Sequence, residues 1–241
     1  MNRTKTLTPT LAVAALGRSA AAAEADYVTE VTNDNPFAYY RFEDAGNATG
    51  DTAADSSGNN RDGQYTEEQN GLTHIADTPG QIGGQAARFD NSGTWDTNSG
   101  GDTTGDANGR VDQPGPDPNG FNDFGAEMNG GFGIELWMKT SETARHTNVL
   151  GVMRGDTSFS IETNRDAGFN KGTAKHTLFF LRVGGTQGND LSIDHDSDAA
   201  GNVNLYDGNW HHIVWDATDS DDNGIQTSEI DVFVDGESQT L

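Results

Sequence analysis

The sequence contains no cysteine and few basic residues. Without cysteine, neither a disulfide nor a thiolate-bound metal can hold the chain together. Stability must therefore come from a hydrophobic core or from ions bound by oxygen ligands. Only 14 Lys and Arg residues stand against 38 Asp and Glu, which gives a formal net charge of −24. Such a surface repels phosphate, so neither nucleic acid nor an anionic membrane surface is expected as a partner.

Long apolar runs are also missing. No segment approaches the roughly 18–20 consecutive apolar residues of a membrane-spanning helix, so no membrane span is expected in this chain. No long stretch keeps an apolar period of 3.6 residues, which argues against a helical bundle. A hydrophobic share of 32% together with 31 glycines fits short strands joined by long polar loops.

The N-terminus has the pattern of an export signal. Arg3 and Lys5 supply positive charge, residues 7–16 are mostly apolar, and residues 23–25 form a small Ala-Glu-Ala triplet typical of a cleavage site. The pattern predicts a signal peptide over residues 1–25 and an extracellular or cell-surface location. The alternative is a disordered, alanine-rich leader.

Beyond the leader, apolar residues alternate with polar ones. In residues 132–139 Phe132, Ile134, Leu136 and Met138 share one face, as the two-residue period of a strand requires. Residues 91–125 show no periodicity, and no helical pattern interrupts the series of short runs. The sequence therefore predicts an all-β, two-sheet antiparallel β-sandwich over residues 36–241. Its strands are predicted at residues 37–42, 86–90, 132–139, 148–154, 158–163, 177–183, 210–216 and 229–234.

Five segments, in this order, carry a family resemblance: residues 38–43, 55–63, 83–90, 132–139, and 207–214 with 232–236. They resemble the laminin-G-like family of the concanavalin A-like lectin/glucanase fold. The resemblance implies a jelly-roll sandwich. The family continues with further strands after its Val-Asp-Gly turn, here residues 234–236. The domain is therefore expected to be incomplete at its C-terminus, with one sheet edge uncovered.

The fold also occurs in glycoside hydrolases, which carry an E-x-D-x-(x)-E strand. Glu229 and Asp231 begin such a motif, but Phe233 or Val234 stands where the second Glu is needed. His211 and His212 are adjacent and point to opposite faces of a strand, so they cannot chelate one ion together. The chain is therefore expected not to be an enzyme.

Acidic loops indicate calcium. Asp219, Asp221 and Asn223 alternate ahead of Gly224, like the first half of an EF-hand loop. The closing Glu is out of register, because Ile230 occupies position 12 and Glu229 stands one residue early. Asp90 resembles positions from which the fold binds calcium at its rim. The alternatives are a solvated hairpin tip and a turn-capping Asp, and a weaker candidate is the alternating Asp run at residues 194–198.

Sugar binding would require exposed aromatic rings. Trp95, in the long acidic loop, is the predicted ligand residue, whereas Trp137 and Trp215 are expected to pack between the sheets or under a loop. The leading hypothesis is a secreted, non-catalytic binding or adhesion module for a glycan or an extracellular-matrix or cell-surface protein, with Ca²⁺ organising its loops. The alternatives are a structural surface protein without a small ligand and, less favoured, a glycoside hydrolase.

Overall fold

The computed structural model describes residues 20–46, 48–68, 72–79, 82, 84–89, 108–112, 131–154, 157–168, 170–182, 190–219 and 225–241. One α-helix, α1 (Ala20–Asn33), begins within the predicted leader and precedes the described strands. A 3-10 helical turn, Thr227–Glu229, precedes β12. The described part contains no helix long and apolar enough to cross a membrane. The strands are β1 (Thr52–Ala53), β2 (Gly63–Glu68), β3 (Leu72–Ile75), β4 (Ala86–Phe89), β5 (Asn108–Asp112), β6 (Phe132–Lys139), β7 (Thr147–Arg154), β8 (Thr157–Thr163), β9 (His176–Arg182), β10 (Asp190–Asp196), β11 (Trp210–Ala217), β12 (Ile230–Val234) and β13 (Glu237–Ser238).

Two four-stranded antiparallel sheets, ordered β10-β9-β8-β7 and β13-β12-β11-β6, enclose the main core. Strands β6, β8, β9, β10, β11 and β12 contribute alternate side chains to it, as a pleated backbone requires. Trp215 lies fully buried at its centre, edge-on to the rings of Phe132 and Phe179 at centroid distances of 5.4 and 5.3 Å. The predicted all-β antiparallel sandwich is confirmed, and Trp215 packs between the sheets as expected.

Two smaller sheets, β1-β2-β5 and β3-β4, surround a second core of Ala53, Tyr65 and Leu72. Residues 37–42 were predicted to be a strand and contain only an isolated bridge between Tyr40 and Asp55. The reason lies in the carboxylate of Asp55, which accepts the backbone N–H of Tyr39 at 2.9 Å in place of a strand partner. The segment packs through its side chains instead.

The alternating Asp run at residues 194–198 owes its pattern to a strand. Asp194 and Asp196 lie on β10, with His195 fully buried between them and Ile193 in the core. Because alternate side chains of a strand point to opposite faces, the Asp spacing reflects the period of the strand. Asp194 contacts the ring of His176 at 2.9 Å, and Asp198 pairs with Lys175 at 2.8 Å.

Candidate functional site

The candidate site lies on the outer face of β6 and β11, on the side of the sheet away from the core. Ile134 and Met138 of β6 and Ile213 of β11 point inward, so Glu135, Trp137 and His212 must point outward. Trp137 and His212 are direct partners in the antiparallel register. Directly opposed residues bring their side chains together on one face of a sheet, so this register assembles the site.

Glu135, Trp137 and His212 form a connected cluster. The rings of Trp137 and His212 stack at a centroid distance of 4.8 Å and an interplanar angle of 28°. Nε2 of His212 lies 2.8 Å from Oε1 of Glu135. This hydrogen bond, with a second one from Tyr27, outweighs partial burial and lowers the pKa of Glu135 below its usual range. The site therefore presents an ionised carboxylate beside a stacked aromatic pair at neutral pH.

Tyr27 of helix α1 completes the cluster. Its hydroxyl donates to Oε1 of Glu135 at 2.6 Å and accepts from Nε1 of Trp137 at 3.0 Å. Its ring stands edge-on to Trp137 and to His212, with centroids 6.3 and 6.5 Å away. Burial, and then the hydrogen bond to ionised Glu135, raise the pKa of Tyr27. The hydroxyl therefore stays protonated and is held as donor and acceptor at the same time.

The outer face continues beyond this cluster. Trp210 and Lys139 are the next outward-facing register pair along β11 and β6. Asp77 contacts both of them. Asp77 lies 2.6 Å from Nζ of Lys139 and 3.4 Å from Nε1 of Trp210. In the other direction, Val214 and Phe233 pair across β11 and β12, and both are half-buried. Partly exposed rings and hydrogen-bonding groups therefore extend over more than one residue pair.

A second carboxylate cluster lies on the outer face of the other large sheet. Oε2 of Glu162 is 2.6 Å from Nε2 of His146 and also accepts a hydrogen bond from Arg165, while Oε1 accepts from Ser160 at 2.7 Å. Burial alone would raise the pKa of Glu162, but these three hydrogen bonds outweigh it and lower the pKa to about 2. Its side chain is only 7% exposed. Leu178, its partner on β9, is fully buried, so this carboxylate is closed to a ligand.

His211, next to the site on β11, points inward and has a different environment. Nδ1 lies 2.8 Å from Asp235 and Nε2 lies 3.0 Å from Asp207. Burial alone would lower its pKa, but the two carboxylates outweigh burial and raise the pKa of His211. This arrangement ties the turn before β11 to the turn after β12. It agrees with the prediction that the two histidines face opposite ways.

Most of the residues predicted to bind metal or ligand fall on other parts of the chain. Asp90, Trp95, Asp221 and Asn223 lie outside the described residues. Asp219 is described, half-buried just after β11. Within the described ranges, no group of three His, Asp or Glu side chains could hold a metal ion. Calcium binding at Asp219, Asp221, Asn223 and Asp90 therefore stays a prediction, as does the ligand role of Trp95.

The residues of the incomplete hydrolase motif are separated by local structure. Glu229 ends the 3-10 turn, and its carboxylate accepts the backbone N–H of Gln226 at 3.0 Å. Asp231 lies exposed on β12 opposite Asp216, and Phe233 follows on the same face. The carboxylate of Glu229 is engaged in holding the turn, and the absence of catalysis stays a prediction.

This outer-face cluster was not among the sites predicted from the sequence. Trp137 was expected between the sheets or under a loop, but it lies on the outer face beneath the Tyr27 side chain of α1. Its outward position follows from the apolar alternation of β6, so Glu135 and Trp137 could have been paired as outward neighbours. The contribution of Tyr27 could not be predicted in this way, because it lies 108 positions from Glu135 in the sequence.

Comparisons with models of protein families, with curated proteins and with solved structures gave no match. The likeness of five segments to the laminin-G-like family therefore stays an expectation from the sequence. The function has to be inferred from the geometry of the site itself.

Proposed function

We propose that this chain is an extracellular, non-catalytic module that binds carbohydrate through the outer face of β6 and β11. The observation that carries the proposal is the environment of the Tyr27 hydroxyl. It lies between an acceptor, Glu135, and a donor, Trp137 Nε1, beside a stacked aromatic pair. A sugar presents the same groups: hydroxyls that donate and accept, and an apolar ring face that packs on aromatic rings.

The polarity of the face supports a ligand rather than a purely structural role. Glu135 keeps 39% of its side chain exposed, and His212 keeps 25%. Partly exposed rings beside a few oriented polar groups are typical of small-molecule sites, where the rings supply contact area and the polar groups fix orientation. The neighbouring pair of Trp210 and Lys139 extends this surface. An oligosaccharide therefore fits it better than a single sugar.

The negative charge of the chain and of the site restricts the class of glycan that can bind. The chain carries a formal net charge of −24, and Glu135 is ionised. An acidic polysaccharide would be repelled by both the overall field and the local carboxylate. The site therefore favours neutral glycans, or glycans carrying a cationic amino group.

The test is binding of neutral oligosaccharides, screened on a glycan array and quantified by calorimetry. Trp137→Ala should weaken binding at least about tenfold, because it removes both the stacking ring and the N–H donor. Phe89→Ala is the matched control, since Phe89 is 41% exposed on β4, outside the site. Retained affinity in Trp137→Ala would refute this site. Absence of glycan binding to the unaltered chain would favour the structural surface protein.

Calcium dependence belongs to the same proposal and is tested separately. The array is repeated with millimolar Ca²⁺ and with EDTA. If calcium organises the loop that begins at Asp219, glycan binding falls in EDTA. If binding is equal in both buffers, the carbohydrate site works without calcium, and the two parts of the proposal separate.

A further inference from the structure

We infer that Tyr27 is an intramolecular competitor whose hydroxyl fills a hydroxyl subsite made by Glu135 and Trp137, and that a ligand hydroxyl displaces it. This inference rests on the proposed carbohydrate function and adds its regulation. Helix α1 lies far from β6 in sequence, since Tyr27 and Glu135 are 108 positions apart. Tyr27 reaches the subsite from helix α1, which is not part of the sheet. The paired strands β6 and β11 fix the positions of Glu135, Trp137 and His212.

The hydrogen bonds show which ligand group the subsite selects. Oε1 of Glu135 accepts and Nε1 of Trp137 donates, so the bound group must do both through one oxygen atom. A neutral hydroxyl satisfies this requirement, whereas a carboxylate could not donate and an ammonium could not accept.

Displacement of Tyr27 also uncovers the stacking surface. Its ring stands edge-on to both Trp137 and His212. When α1 moves away, the rings of these two residues become available to a sugar face. The competitor therefore blocks the hydroxyl subsite and part of the platform together. The apparent affinity for a ligand is then the intrinsic affinity multiplied by the fraction of molecules in which Tyr27 is displaced.

Cleavage of the predicted export signal would weaken the contact of Tyr27 with Glu135 and Trp137. Cleavage after the Ala-Glu-Ala triplet at residues 23–25 would leave only residues 26–33 of α1. Eight residues are fewer than the roughly 12–15 that an isolated helix needs in water. Tyr27 would then be the second residue of the processed chain and would be held less firmly. A chain starting at residue 26 should therefore bind glycan more tightly than the full chain.

The subsite can be tested without knowing the glycan. The probes are phenol, which has a hydroxyl, and anisole, whose methyl ether cannot donate. Phenol should bind Tyr27→Ala and shift the NMR signal of the Trp137 indole N–H. Two combinations should show affinity at least about tenfold lower than phenol with Tyr27→Ala: anisole with the same variant, and phenol with the unaltered chain. Equal binding of phenol and anisole, or no shift of Trp137, would overturn the subsite.

The competition is tested with a neutral oligosaccharide that binds on the array. Tyr27→Phe keeps the ring and should raise affinity about tenfold, because it removes the hydrogen bond to a charged acceptor. Tyr39→Phe is the matched control, a nearby tyrosine with no hydrogen bond to Glu135, and should change nothing. If Tyr27→Phe instead weakens binding, Tyr27 is part of the ligand site and the inference is wrong. If phenol fills Tyr27→Ala but no oligosaccharide binds any variant, the carbohydrate function fails while the hydroxyl subsite stands.

Discussion

The outer faces of the two large sheets each carry a glutamate beside a histidine, but the two glutamates differ in exposure and in the origin of their hydrogen-bond partners. Glu162 has a side chain that is 7% exposed, while that of Glu135 is 39% exposed. Glu162 bonds three partners from its own strand and the flanking loops. Glu135 bonds a histidine across the sheet and a tyrosine from a distant helix.

Residue type alone does not separate a closed structural cluster from the proposed ligand site, whereas burial and the origin of the partners do. The Glu162 cluster is closed beneath the surface next to fully buried Leu178, and nearby Asn164 ties the following loop to the carbonyls of Glu142 and Arg145. Removing a partner there leaves a buried carboxylate with one hydrogen bond fewer and no access to water that could replace it. At Glu135 water can replace a lost partner, so the same chemistry is available for exchange with a ligand.

The largest expected effect is on stability when the buried glutamate is changed. Glu162→Gln should lower the free energy of unfolding by about 3 kcal/mol, because it replaces a buried carboxylate that accepts three hydrogen bonds with a neutral amide. Glu135→Gln, the matched change on the exposed face, should cost less than about 1 kcal/mol. Urea unfolding at neutral pH measures both. Equal losses would erase the distinction between the two faces.

Lowering the pH should show the same contrast. The free energy of unfolding should fall by on the order of 2 kcal/mol as Glu162 is protonated. The folded-state pKa of Glu162 is lowered to about 2 from an ordinary value of 4.5. Its stabilisation is therefore present above about pH 4.5 and is lost as the pH falls towards 2. Unfolding of Glu162→Gln should depend less on pH in this window, whereas Glu135→Gln should keep most of the original slope. If both variants keep the full slope, the hydrogen bonds to Glu162 do not set its pKa.

The fold was predictable where a strand has one fully apolar face. Residues 132–139 coincide with β6 because Phe132, Ile134, Leu136 and Met138 alternate without interruption. β10 was missed because its outward Asp194 and Asp196 dominate the pattern and its inward His195 is polar. Residues 37–42 have the composition of a strand, but the Asp55 carboxylate takes the backbone N–H of Tyr39. A side chain 16 residues away thus decides the conformation.

The candidate site was only partly predictable for a similar reason. The outward positions of Glu135 and Trp137 follow from the alternation of β6, and the opposed positions of His211 and His212 were predicted correctly. The stacking of His212 on Trp137 depends on the register between β6 and β11, which no local pattern specifies. The role of Tyr27 depends on where α1 packs. Local periodicity determines the direction of a side chain, whereas tertiary structure determines its partners.

The acidic loop after β11, where calcium binding is predicted, is a third region that can be compared with the two glutamate clusters. If Asp219, Asp221 and Asn223 bind Ca²⁺, the melting temperature should rise by a few degrees between EDTA and millimolar Ca²⁺, since any ligand selective for the folded state stabilises it. Asp221→Asn should abolish the shift, whereas Glu135→Gln and Glu162→Gln should keep it. An unchanged melting temperature in the full chain would contradict the calcium prediction.

The smallest expected effect is a difference in the pH dependence of stability between variants of His211 and His212, which lie on opposite faces of β11. Hydrogen bonds to Asp235 and Asp207 outweigh burial and raise the pKa of His211 in the folded state. Its contribution to stability is therefore complete below pH 6.5 and is lost as the pH rises through the raised folded-state pKa. His211→Gln should flatten the fall in stability above pH 6.5, while His212→Gln, on the outer face, should leave that fall intact. If His212→Gln flattened it equally, the adjacent histidines would not have separate roles. The contrast between a structural inner face and the proposed ligand-binding outer face would then not hold for this strand.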